Sequence, residues 1–275
     1  MEACRILHVS RAGYYQWRSG KISPRAAENK RIAQLVKEIH TGSPDKGYRR
    51  IRDDLVRYHD TRVNDKRVRR ICQSLGIKST IKYAGNSCTK RSSDPQHTAE
   101  NLLGRNFHAD KPNEKWLTDV TEFKYYVGPA VHKIYLSAIL DLCDRRIVAA
   151  VIGDSNDNAL VYTTFDRAVK DNPNAHPLFH SDRGFQYTTE VFHDKLEAAG
   201  MTHSMSRVGK CIDNGPMEGF WGILKRERYY GRHFICREEL IRMIEDYIVY
   251  YNSSRIQRGL GLLTPLEKHE LCLAA

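Results

Sequence analysis

The sequence of 275 residues has no long apolar run. Nothing in it approaches the ~18 or more apolar residues that a membrane span needs. Its opening, Met1-Glu2-Ala3-Cys4-Arg5, lacks the pattern of a signal peptide. The seven cysteines, at 4, 72, 88, 143, 211, 236 and 272, form no Cys-x-x-Cys pair. Their scatter argues against a zinc site and a disulfide framework, and suits a reducing cytoplasm. A long heptad zipper is missing as well. Surplus positive charge is absent from most of the chain. Residues 1–100 hold 22 Lys+Arg against 10 Asp+Glu, a net of +12, and the remainder holds 22 against 23, a net of −1. A basic module beside a near-neutral one fits a nucleic-acid grip joined to a reaction domain. A solvated basic surface is the plainer alternative. The length allows two domains, and a hydrophobic content of 41% fits a globular chain.

Residues 1–78 read as a helical region. Cys4, Ile6 and Leu7 precede a break at His8-Val9-Ser10. Ser10 suits the N-cap of a helix from Arg11 to Arg18, because its oxygen accepts from the first-turn amides. In a helix-turn-helix such a second helix enters the major groove, which makes Arg11, Gln16 and Arg18 candidates for DNA contact. A plain helical hairpin is the alternative. Gly20 to Ser23 reads as a linker. Ser23-Pro24 then starts a helix whose Ile32, Leu35, Val36 and Ile39 share one face. Gly42-Ser43-Pro44 ends it. Two more helices are predicted, Tyr48 to about Tyr58 and Asp65 to Leu75, the second capped by Asn64 and followed by Gly76. Arg49, Arg50, Arg52, Lys66, Arg67, Arg69 and Arg70 crowd this pair, which points to DNA-backbone contacts over a merely solvated face. Residues 79–108, with Lys82, Lys90 and Arg91 following Lys78, read as a basic linker able to lie along DNA, or as a simple spacer.

From Asn113 the pattern changes. Strands are predicted at Lys115–Tyr126, His132–Leu142, Arg146–Ile152, Pro177–His180 and Met201–Ser206. Helices are predicted at about Asn158–Lys170, Thr189–Ala199, Pro216–Tyr230 and Arg237–Tyr251. Three consecutive strands followed by alternating helix and strand indicate a mixed α/β sheet over 109–235, with a helical segment over 236–275. Gly184 and Gly209 are placed to permit tight turns.

Three acids stand out. Asp119, in Trp116-Leu117-Thr118-Asp119-Val120-Thr121, interrupts an apolar strand, where charge is costly unless compensated. Asp182 follows 63 positions later in His180-Ser181-Asp182-Arg183-Gly184-Phe185-Gln186-Tyr187, where an ordinary turn aspartate is the plain alternative. Glu218 lies 36 positions beyond Asp182, in Asp213-Asn214-Gly215-Pro216-Met217-Glu218. It would be the third residue of a helix if Gly215 is the N-cap, where a glutamate is often only a capping residue. Asp141, Asp144 and Asp213 read as structural. Trp116 and Trp221 read as core. His180, Ser181, Gln186, Tyr187 and Asn214 flank the acids and are candidates to orient ligands or DNA.

These three motifs, in this order and with Lys225 seven residues after Glu218, resemble the DDE transposases of bacterial insertion sequences. The chain is most similar to the IS-three family, relatives of retroviral integrase, and to the catalytic subunit that the second reading frame encodes. Tyr247-Ile248-Val249-Tyr250-Tyr251-Asn252 and Thr264-Pro265-Leu266-Glu267 resemble the family's C-terminal segment, although Gln257 stands where many members have His. The resemblance implies an RNase H-like catalytic core of retroviral-integrase type behind an all-helical helix-turn-helix region. It implies Asp119, Asp182 and Glu218 as ligands of Mg²⁺ or Mn²⁺, two ions in all, whose hard character suits carboxylate oxygen. It implies strand cleavage and strand transfer at element ends, with Lys225 contacting the end DNA. Element-end inverted repeats, target DNA, an upstream-frame protein or fusion, and further copies of the chain are the implied partners, in the bacterial cytoplasm. A nuclease that does not transpose and a decayed DNA-binding regulator are the alternatives.

Overall fold

A computed structural model describes residues 2–20, 22–81, 96–208 and 211–274. Lys82, Lys90, Arg91 and Gly209 lie outside the described residues. The chain divides into two compact units, Met1–Thr80 and Ile81–Ala275.

The first unit is helical. Helices α1 (Glu2–Ile6) and α2 (Arg11–Arg18) are joined by the expected break, and the Ser10 hydroxyl accepts from the Gly13 amide at 3.0 Å. Helix α2 buries no residue. Helices α3 (Pro24–Gly42), α4 (Tyr48–Tyr58) and α5 (Asp65–Ser74) enclose a core of Ile32, Val36, Ile51, Leu55, Val68 and Ile71. Asn64 caps α5, its side chain accepting from the Arg67 amide at 2.8 Å. The buried acids of α4 are paired, Asp54 with Lys46 at 2.6 Å and Asp53 with Arg52 at 3.1 Å.

The second unit is built on a five-stranded sheet of order β3-β2-β1-β4-β5. Strands β1 (Lys115–Val127), β2 (Ala130–Asp141) and β3 (Ile147–Gly153) form the antiparallel meander, with β2 central. Helix α6 (Asn158–Asp171) carries the chain to β4 (Leu178–Ser181), and α7 (Glu190–Ala198) carries it to β5 (Thr202–Met205). Both β1–β4 and β4–β5 are parallel, as helical crossovers require. Alternation along β1 sends Trp116 to the face covered by α6 and α7, and Leu117 and Phe123 to the opposite face. Helices α8 (Gly215–Leu224), α9 (Arg237–Ser253) and α10 (Pro265–Leu273) follow. Leu240, Ile244, Tyr247 and Tyr251 of α9 share the core that Leu117 and Phe123 enter, so the C-terminal helices are part of the same hydrophobic unit.

Three expectations change. The helix after β5 begins at Gly215 with Asn214 as its N-cap, so Glu218 is its fourth residue. It also stops at Leu224, and Lys225–Tyr229 winds as one wider π turn, closed by the Tyr230 amide donating to the Lys225 carbonyl at 2.7 Å. The turn accompanies inward contacts of Glu227 with Arg255 and Tyr247. Residues 96–108, read as linker, pack on the sheet edge instead. Leu103 is buried with its amide on the Ser204 hydroxyl at 3.1 Å, and the His97 amide reaches the Thr188 carbonyl at 2.8 Å. The apolar Leu103 gives that stretch a reason to dock.

Candidate active site

Strand β1 places Asp119 and strand β4 delivers Asp182. The two strands are parallel, with Leu117 level with His180. Two residues further along each, Asp119 and Asp182 stand together beyond the carboxyl ends of the paired segments, where open α/β sheets bind ligands. Both line a cleft of about 460 Å³, with Glu122, Asp154, Asn156 and Gln186 among its walls.

The electrostatics of the pair are unfavourable without a cation. Burial, then the Asp182 charge, pushes the Asp119 carboxyl up to about 8, and Glu218 adds to the rise. Burial raises Asp182 as well, against the Gly184 amide, which donates to its Oδ1 at 2.8 Å. Asp119 points to the α8 face, where the Trp221 Nε1–H donates to its Oδ2 at 3.0 Å. Trp221 is therefore a core residue with one polar contact at the site. Nothing in the sequence pattern singled out that contact, since only the packing of α8 on β1 creates it.

Glu218 sits on the exposed face of α8, close enough to act on Asp119 but not a wall of the cleft. Among the described residues, no group of three or more His, Cys, Asp or Glu is arranged to hold a metal ion. The donor set fits a hard divalent cation nonetheless. It offers carboxylate oxygens, and the burial and neighbouring negative charge that raise Asp119 are both offset by a bound cation.

The flanking residues have defined contacts. The Asn214 amide donates to the Thr118 carbonyl at 3.0 Å, tying the start of α8 to the residue before Asp119. The Thr118 hydroxyl meets the Tyr187 hydroxyl at 3.2 Å and donates to the Ala138 carbonyl at 3.1 Å. Ser181 donates to the Asp182 carbonyl at 2.9 Å and meets His203 Nε2 at 3.0 Å. His180 is buried between the hydroxyls of Ser204 and Ser206, at 2.8 and 3.1 Å, and burial lowers it to about 4, so it is a neutral strut. Gln186 donates its side-chain amide to Asn156 across the cleft. Gly184 has φ −59, so its turn needs no left-handed backbone. Its role is space, since a Cβ there would lie 2.9 Å from Asp182 Oδ1.

Three further acids are held in contacts of their own. Asp141 accepts from the Asn113 and Cys143 amides at 2.6 and 2.7 Å, Asp144 meets His269 at 2.7 Å, and Asp213 binds Arg105 and Arg207 at 2.7 and 2.8 Å. The Lys225 ammonium lies 5.0 Å from the Phe123 ring centroid. Of the basic residues in the first unit, Arg50 is paired with Asp45 at 3.0 Å and Arg67 with Glu28 at 2.7 Å. Arg11, Gln16, Arg18, Arg49, Lys66, Arg69 and Arg70 are exposed.

Comparison with known proteins fits this arrangement. Family models of the integrase core domain match residues 109–211 and 218–270, and a model of an HTH-like domain matches 27–85. The chain is 36% identical over 271 residues to the putative transposase InsK for insertion sequence element IS150 of Escherichia coli K12, covering 97% of this chain and 92% of that one. It is 41% identical over 205 residues to a transposase-like protein of Haemophilus influenzae, covering 74% of this chain and 92% of that one. The fold is similar to that of a simian T-cell lymphotropic virus intasome structure, with a TM-score of 0.50 and 15% identity over 86% of this chain and 74% of that one.

Proposed function

Because the chain belongs to the IS-three family of insertion-sequence transposases, enzymes that cut and join DNA by phosphoryl transfer, we propose that Asp119, Asp182 and Glu218 hold the divalent metal of that reaction. The juxtaposition of Asp119 and Asp182 just beyond the parallel-paired segments of β1 and β4 carries this reading. Mg²⁺ or Mn²⁺ bound by these oxygens would stabilise the attacking and leaving oxygens of an in-line displacement.

The chain's own residues prepare the site. Trp221 holds one oxygen of Asp119, and the Gly184 amide holds one oxygen of Asp182, so each carboxylate starts with a fixed orientation. Asn214 ties the helix of Glu218 to the strand of Asp119. No side chain is required as nucleophile: water serves for nicking and a DNA 3′-hydroxyl for joining. Lys225 grips a phosphate of the element end. The exposed cations of the first unit, Arg49, Lys66, Arg69 and Arg70, with Arg11, Gln16 and Arg18, contact DNA. Element-end and target DNA are the partners, with an upstream-frame protein or fusion and further copies of the chain, in the bacterial cytoplasm.

Asp119→Asn, Asp182→Asn and Glu218→Gln are each expected to abolish Mg²⁺-dependent cleavage and strand transfer on element-end DNA, with DNA binding largely intact. Cleavage assays beside fluorescence anisotropy read both. A variant that cleaves at near-normal rate removes its residue from the site.

A further inference from the structure

Helix α8 is weak by composition. Three of its ten residues, Gly215, Gly219 and Gly222, are glycines, and Asn214 makes no side-chain cap bond. Its position must come from docking. The docked stripe is Met217, Phe220, Trp221 and Leu224, all buried. Glu218 follows Met217 and Lys225 follows Leu224, so both sit one step round from the stripe. A single rotation of the helix turns both side chains together.

The next position on the stripe, three residues beyond Leu224, is Glu227. An acid there should be excluded, yet the Glu227 side chain is 4% exposed. Its carboxylate accepts from Arg255 Nη2 at 2.8 Å, Arg255 Nε at 3.2 Å and the Tyr247 hydroxyl at 2.9 Å. Arg255, 11% exposed, lies just past the end of α9. That end is itself fixed: the Asn252 amide both donates to and accepts from the Ile147 backbone of β3, at 3.0 and 2.9 Å. Tyr251 meets Phe220 of α8 edge-on, with centroids 4.7 Å apart. A continuous set of contacts therefore runs from the sheet through Asn252, Arg255 and Glu227 into the π turn that extends α8.

We propose that Glu227 and Arg255 are positioning residues for DNA strand transfer: their buried pair sets the rotation of α8, and with it the directions of Glu218 and Lys225. The Tyr-Tyr-Asn-x-x-Arg segment at 250–255 thereby becomes part of the catalytic apparatus while touching no substrate. This inference rests on Glu218 as a metal ligand. A buried ion pair adds little net stability over apolar groups of similar volume. The two-pronged Arg255 contact is directional, and on this proposal that directionality sets α8. Replacing both partners should therefore leave the fold and loosen the setting.

The test uses the full chain, with Glu227→Met combined with Arg255→Met, Arg255→Lys alone, and Glu218→Gln. Melting temperature, amide exchange of Met217–Leu224, and the Mn²⁺ concentration for half-maximal cleavage of an element-end oligonucleotide are measured. In the double variant the melting temperature should hold, α8 exchange should accelerate, and half-saturating Mn²⁺ should rise about 10- to 100-fold, as happens when the hydrogen bonds behind a metal site's ligands are removed. Arg255→Lys should fall between, because charge survives without the planar fork. Unchanged exchange and unchanged Mn²⁺ dependence in the double variant overturn the proposal. So does a double variant that unfolds, because the pair then holds the fold and not the helix setting. Faster α8 exchange with wild-type Mn²⁺ dependence in Glu218→Gln supports the latch and removes Glu218 from the metal site instead.

Discussion

Asp119 carries a carboxylate into a strand whose residues 116 to 118 are all buried, and its environment favours the protonated form. A carboxyl raised to about 8 in the fold binds more protons than it does unfolded. It therefore removes stability as pH rises from the ordinary carboxylate range towards about 8, and Asp182 acts in the same direction. The metal-free protein should lose melting temperature across that window, Asp119→Asn should flatten the loss, and saturating Mg²⁺ should abolish it. Thermal melts at several pH values with and without Mg²⁺ measure this; a wild-type melting temperature that climbs as pH rises from about 5 to about 8 without metal contradicts it. Gly184 is the second residue with a specific requirement. Its backbone suits alanine, but the new methyl would press on Asp182 Oδ1 at 2.9 Å. Gly184→Ala should weaken Mn²⁺ binding by about 10- to 100-fold and leave the melting temperature nearly unchanged. Isothermal titration with Mn²⁺ decides it, and wild-type affinity would show that Asp182 moves aside without cost.

At the scale of elements, α8 and its π turn carry two tasks on one short rod. Lys225 lies seven positions after Glu218, which is about 10.5 Å along an α-helix and about 20° short of two turns. That reach suits a phosphate a few nucleotides from the scissile bond and is too long for a shared metal. The ammonium rests near the Phe123 ring, a contact worth about 0.5–1 kcal/mol at exposed sites, so a packing role competes with a DNA role. Lys225→Ala should reduce strand joining and lower the salt slope of end binding by about 0.9, the share of one neutralised phosphate. Lys225→Arg should restore part of both. Salt titration of end binding is the discriminating measurement: an unchanged slope with a lowered melting temperature would make Lys225 a packing residue only.

For the whole molecule, the charge split and the division into Met1–Thr80 and Ile81–Ala275 fall at nearly the same place. Arg50, Arg52 and Arg67 are engaged in ion pairs within the first unit, so its exposed cations are fewer than its composition suggests. Lys66, Arg69 and Arg70 remain exposed on α5. We expect the fragment Ile81–Ala275 to bind duplex DNA much more weakly than the full chain. Its salt dependence should also be shallower, by about 0.9 for each phosphate that the first unit neutralises. Fluorescence anisotropy over a range of salt reports both, and equal affinity of fragment and chain would show that the first unit's charge does not hold the duplex.

Sequence alone determined the order of elements, because period-two apolar runs, Pro and Gly stops, and Ser10, Ser23 and Asn64 caps are local signals. It also marked Asp119, Asp182 and Glu218 through three spaced motifs. Tertiary structure decided what those local signals do not encode. The level pairing of β1 with β4 brings Asp119 beside Asp182, and packing of α8 on β1 puts the Trp221 indole on Asp119. Residues 96–108 look like linker because their one buried anchor, Leu103, finds its partner Ser204 about a hundred residues away. Glu227 is the sharpest case. It falls on an apolar stripe, where sequence can show only a misfit, and the reason lies in Arg255 and Tyr247, which the fold alone brings within hydrogen-bond reach.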